Sequence, residues 1–76
     1  MDNNYRTKDL SEGSVLLVKQ QKLLSIDREG KTCWFIFEDK KSCEQIANQF
    51  WFGSCLVNAK SYFEAIQTLK NRIFSQ

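Results

Sequence analysis

Two β-prone runs, Leu23 to Asp27 and Thr32 to Glu38, flank the tetrapeptide Arg28-Glu29-Gly30-Lys31. Gly30 supplies the positive φ that a tight hairpin requires, so this stretch commits the chain to an antiparallel strand pair. A two-residue loop at Glu29-Gly30 opposes Ile26 to Cys33 and Leu24 to Phe35. Those four residues and Phe37 then form one strongly apolar face. Leu23, Ser25, Asp27, Thr32, Trp34 and Ile36 share the other, which is half polar. A three-residue loop ending in a bulge at Gly30 shifts the register by one and mixes the faces. The first register separates the faces better and is the one expected.

Helical patterns stand on both sides of the hairpin. Thr7 is placed to cap a first helix over about residues 8 to 20, with Asp9 in its first turn where a carboxylate suits the helix dipole. Gly13 and Ser14 fall inside that helix, and a glycine there costs about 1 kcal/mol relative to alanine. Close approach of another backbone is the expected return. Asp39 caps a second helix whose Cys43, Ile46, Ala47, Phe50 and Trp51 follow the spacing of a single buried stripe. Gly53 ends it. Cys55-Leu56-Val57 is short and β-prone and reads as a third strand. Asn58 caps a last helix over about residues 59 to 74, with Tyr62, Ile66, Leu69 and Ile73 as its stripe. Residues 1–6 read as a polar tail. The expected fold is α+β in the order α-β-β-α-β-α, a small sheet of hairpin plus short third strand with three helices packed mainly on one face.

At 76 residues the chain has room for one domain and one core. A domain of this size buries only about 60% of the surface its unfolded chain exposes, so it is expected to lean on a partner or on self-association. The longest apolar run is Cys33 to Phe37, far short of the ~20 residues that span a bilayer, and the first six residues offer no apolar signal segment. A cytoplasmic protein with no membrane contact is expected. Cys33, Cys43 and Cys55 are odd in number, lack a close pair and stand in a chain without histidine. That argues against a disulfide framework and a zinc site, and for reduced core thiols. The net charge of +2 is too small to mark a nucleic-acid binder.

The blocks Tyr5-Arg6-Thr7-Lys8-Asp9-Leu10, Lys22-Leu23-Leu24, Cys33 to Asp39, Phe50-Trp51-Phe52-Gly53 and Val57-Asn58-Ala59-Lys60 through Leu69-Lys70 resemble, in order and over nearly the whole chain, a small family described as a domain of unknown function, number 5659. The resemblance implies a short stand-alone protein, often carried by phages, prophages and other mobile elements, and brings no biochemical activity with it. The chain departs from the family pattern at Gly13-Ser14, where two alanine-like residues are expected, and at Glu29, where aspartate makes a better turn with glycine.

The inventory of chemistry is thin. Without histidine a serine or cysteine nucleophile lacks its usual activator, and there is no glycine-rich phosphate loop. Glu38-Asp39 beside Lys40-Lys41 is explained by helix capping. No catalytic residue, metal ligand or cofactor is therefore expected. The aromatic residues are more informative. Trp34, Ile36 and Leu23 are expected on the sheet face away from the core, with Arg28 and Lys31 beside them, and Phe52 at the rim of the second helix. That surface has two readings: an interface anchored on tryptophan, or a face covered by the first helix or the N-terminal tail. A non-enzymatic binding module that contacts protein, itself included, is the leading expectation. The alternative is a nucleic-acid-binding regulator that stacks bases on Trp34 among Lys22, Arg28 and Lys31.

Overall fold

A three-stranded antiparallel sheet carries three helices on one face. The computed structural model describes residues 3–53 and 55–74. The elements are β1 (Asn4–Thr7), α1 (Leu10–Val18), β2 (Leu23–Glu29), β3 (Thr32–Glu38), α2 (Lys40–Trp51) and α3 (Ala59–Phe74), and the strand order is β1-β3-β2. The α+β class and the one-sided helix layer are as expected, but the third strand is not where the sequence placed it. Cys55-Leu56-Val57 lies in the irregular connection between α2 and α3, and the missing strand comes from residues 4–7. The expected polar tail is thus a strand from Asn4 onward; residues 1 and 2 lie outside the described residues. Tyr5 and Thr7 alternate with Asn4 and Arg6, the period of a half-buried strand, but four residues are too few for that period to stand out.

The hairpin register differs by the position of the turn. Glu29 pairs with Thr32, Ile26 with Phe35 and Asp27 with Trp34, so the loop is Gly30-Lys31 rather than Glu29-Gly30. Gly30 takes φ +59° and Lys31 keeps a negative φ. A turn at Glu29-Gly30 would have imposed a positive φ on Glu29, which glycine carries at far lower cost. Between Leu23 and Ser25 the register slips, leaving Leu24 as the extra residue of a bulge. The slip brings Leu23 opposite Phe37 and into the core, while Leu24 is exposed. Leu23 and Leu24 therefore exchange their expected places, because the sheet keeps its period of two only as far as the bulge.

Rows of paired residues define the inner face. Thr7, Phe35 and Ile26 form one row, and Tyr5, Phe37 and Leu23 the next. On this face Phe35 and Phe37 pack with Leu16 of α1, Cys43 of α2 and Leu69 of α3, all almost fully buried. Helix α1 packs against both α2 and α3. Five consecutive residues, Glu12 to Leu16, are buried, which explains why it shows so little one-sided periodicity in the sequence. Gly13 is the close-approach position. A Cβ there would stand 3.3 Å from Leu69 Cδ1 and 3.3 Å from Phe35 Cδ2, so the neighbours are side chains of α3 and β3 rather than backbone.

The cap of α1 is Asp9, not Thr7. Asp9 Oδ1 accepts from the Glu12 N–H at 2.8 Å, and Thr7 Oγ1, buried at the end of β1, accepts from the Asp9 N–H. The helix stops two residues earlier than expected, in a Schellman motif. Gln20 takes φ +67°, its N–H reaches the Leu17 carbonyl, and the Gln21 N–H reaches that of Leu16. Asp39 caps α2 through the Ser42 N–H, and Asn58 caps α3 through that of Ser61, both as expected. Gly53, at φ +79°, follows the end of α2.

Candidate interaction surface

Two features stand apart from the core. The first is the outer sheet face. Arg6, Ile36 and Ser25 form a row across all three strands, with Trp34 next to Ile36 along β3 and opposite Asp27. The Arg6 guanidinium lies 4.7 Å from the centre of the Trp34 ring and the Lys8 ammonium 5.8 Å, both within the range of cation–π attraction. Arg6 also reaches Glu29 Oε1 at 2.8 Å, an exposed ion pair of small energetic weight. Trp34 is thus half-buried beneath the two cations of the N-terminal segment, and Ile36 is buried between its row neighbours. The face also carries Asp27, Glu29 and Glu38, so its cations are matched by carboxylates.

The second feature is a run of chain, from the end of α2 through the described residues of the following connection to the start of α3, whose large apolar side chains stand in solvent. Trp51, expected in the buried stripe of α2, is instead 59% exposed, because that stripe buries only Cys43 and Ala47 fully; Phe52, Leu56 and Phe63 are 85%, 86% and 61% exposed. From Gln45 to Phe63 the chain holds a single charged residue, Lys60, whereas charged residues make up 26% of the whole. Large exposed apolar side chains without interspersed charge have the composition of an interface centre rather than of ordinary protein surface.

A buried carboxylate holds the end of α2. Glu12 is the one charge within α1 and is buried. Its Oε1 accepts from the Tyr5 hydroxyl and its Oε2 from Trp51 Nε1–H at 2.7 Å, so it joins β1, α1 and the last residue of α2. Burial, and then the hydrogen bond to Glu12, push the Tyr5 phenol far above its ordinary range. The nearby Cys43 thiol is pushed up to about 11, chiefly by burial and then by the carboxylates of Asp39 and Glu12. Tyr5, Glu12 and Trp51 were not singled out together from the sequence. The available signal was Glu12 as the one charge in an otherwise uncharged run from Leu10 to Val18.

The residues expected to form one surface are divided among several. Trp34 and Ile36 share the outer sheet face, and Lys31 is exposed in the turn beside it. Leu23 is turned into the core by the bulge. Arg28 pairs with Cys33 on the inner side, and its guanidinium donates to the Ile73 carbonyl at 3.0 Å in the last turn of α3, where a cation complements the helix dipole. Phe52 belongs to the exposed apolar run that begins at the end of α2. Of the three cysteines, none is in a disulfide; Cys43 is buried, and Cys33 and Cys55 are half-buried. Among the described residues no three cysteine, aspartate or glutamate side chains gather as a metal site requires, and no helix is long and apolar enough to cross a membrane.

This small α+β domain, with an exposed apolar run held at one end by a buried carboxylate, matches the family described as "Domain of unknown function (DUF5659)" over residues 2–75. The chain belongs to that family. No curated protein and no solved structure matches it.

Proposed function

We propose that this protein is a small, non-enzymatic binding module of the cytoplasm, an accessory or regulatory protein of phage or prophage origin that works through contacts with protein. The observation that carries the reading is the exposure of Trp51, Phe52, Leu56 and Phe63 on a stretch nearly free of charge. Tryptophan and phenylalanine are the side chains whose burial contributes most to protein interfaces. The chain has no histidine, the usual activator of a serine or cysteine nucleophile, and this favours the binding reading. The mobile-element origin rests on the family resemblance.

The outer sheet face supports a nucleic-acid partner less well. Arg6 is shared between Trp34 and Glu29, and three carboxylates stand among the cations, where a polyanion would meet repulsion. The test is retention of a protein from host extract by the immobilised chain, followed by calorimetry with that protein purified. Replacing Phe52→Glu and Leu56→Glu together is expected to weaken binding at least tenfold. Equal binding by the double variant overturns the assignment of the surface. A shift of short DNA or RNA at low salt that disappears as salt rises favours the nucleic-acid alternative instead.

A further inference from the structure

We infer that strand β1 sets the orientation of Trp51 through Glu12, so that docking of β1 and order at the end of α2 form one coupled equilibrium. Only the role of Trp51 as a contact residue rests on the protein-binding reading above; the coupling is a property of the chain alone. β1 is tied to both ends of α2. At the first residue of the helix the Lys40 N–H donates to the Asn3 carbonyl at 2.9 Å. At its last residue the Trp51 indole N–H donates to Glu12 Oε2 at 2.7 Å, and the Tyr5 hydroxyl donates to the other oxygen of the same carboxylate. β1 also packs against α2 directly. On the opposite side of the strand Arg6 reaches Trp34 and Glu29, so β1 keeps other attachments when the Tyr5 link is cut.

Glu12 makes the two contacts depend on each other. It is buried, and a carboxylate out of water requires hydrogen bonds to its oxygens. Fixing so flexible a side chain also costs conformational entropy. Either donor alone must order the whole side chain; the second meets a carboxylate already in place, and so binds it more readily. The donors take different oxygens, which limits their competition for the charge. Both ends of the link can open short of global unfolding. β1 is a four-residue strand at the edge of the sheet, the kind of element that opens first. Trp51 is largely exposed, so its indole has water to turn into. Coupling between two sites is reciprocal. A partner that seats Trp51 in its held orientation therefore tightens β1, and one that captures the N-terminal strand releases Trp51.

The experiment is native-state hydrogen exchange on the full chain and on Tyr5→Phe, Trp51→Phe and the double variant. The Phe52 N–H, bonded to the Asn48 carbonyl, reports the end of α2, and the Lys40 N–H, bonded to the Asn3 carbonyl, reports β1. Tyr5→Phe is expected to speed exchange at Phe52 about fivefold or more relative to amides in the middle of α3, and Trp51→Phe to speed Lys40 by a similar factor. In the Tyr5→Phe chain, adding Trp51→Phe is expected to speed Lys40 no further, because the link is already cut. An unchanged Phe52 rate in Tyr5→Phe overturns the inference. So does equal acceleration throughout α3, which is global destabilisation alone, and so do effects that multiply in the double variant, which show independent sites. Acrylamide quenching of Trp51 in a Trp34→Phe background is a second measurement: Tyr5→Phe is expected to raise it, and unchanged quenching overturns the inference. No partner enters these readouts. A coupled chain whose Phe52→Glu and Leu56→Glu variant still binds host protein overturns the protein-binding surface and leaves the coupling standing; an uncoupled chain does the reverse.

Discussion

Replacing Glu12→Ala tests whether the buried carboxylate holds β1, α1 and α2 together. Glu12 accepts from the Tyr5 hydroxyl and from Trp51 Nε1, and hydrogen bonds to a charged group contribute about 1.5–3 kcal/mol each. The loss is reduced because removing the charge also removes its desolvation cost, and because the half-exposed Trp51 indole can turn to water. A net cost of about 3 kcal/mol follows. For 76 residues total stability is on the order of 4–11 kcal/mol, so this is a large share of it. In a domain of this length such a loss lowers Tm by roughly 12–24 °C.

Glu12→Gln separates geometry from charge. The amide oxygen can still accept from Trp51, and the amide nitrogen can donate to the Tyr5 oxygen, which accepts as readily as it donates. Two neutral hydrogen bonds then replace two charge-assisted ones, at a cost of about 1 kcal/mol. Urea unfolding followed by circular dichroism measures both variants, and Trp51 fluorescence reports whether the end of α2 loosens first. If Glu12→Ala were as stable as wild type, desolvation of the carboxylate would equal everything its hydrogen bonds contribute, and the bracing argument would fail. If Glu12→Gln cost as much as Glu12→Ala, the charge itself and not the geometry would hold the three elements.

Gln20→Gly is expected to stabilise by about 0.5–1 kcal/mol in thermal unfolding, because Gln20 occupies the left-handed region that glycine enters without Cβ strain. Gly30→Ala meets no neighbour within 4 Å, so its expected cost of about 1–2 kcal/mol is backbone strain alone, and a neutral result would refute the turn geometry. The Cys43 thiol and the Tyr5 phenol both have folded-state values raised above their unfolded ones. Their contribution is therefore complete at neutral pH and is lost as pH rises; for Cys43 the loss runs from about 9 to about 11. Cys43→Ala should flatten that part of a stability–pH profile. Trp34→Ser is expected to leave the fold intact in circular dichroism, since Trp34 lies on the outer sheet face rather than in the core.

Helices α2 and α3, their caps at Asp39 and Asn58, and the existence of the hairpin were legible in the chain itself. Their causes are local: a carboxylate or amide three residues before a free N–H, a stripe repeating every three or four residues, a glycine at a turn. What tertiary structure decided lies where non-local partners compete with those signals. Strand β1 exists because the free edge of β3 needs hydrogen bonds and Tyr5 needs the carboxylate of Glu12, neither of which is visible in four residues of weak alternation. The bulge at Leu24 exchanged the places of Leu23 and Leu24, since a one-residue slip turns a side chain to the opposite face. Arg28 left the expected surface for the carbonyl at the end of α3, forty-five positions away in the chain. The apolar stretch from Phe50 to Phe63 could be read from composition, but which of its side chains point outward could not. Trp51 and Phe52 are exposed because α2 spends its buried stripe on Cys43 and Ala47, and the stretch that follows leaves Leu56 and Phe63 in solvent.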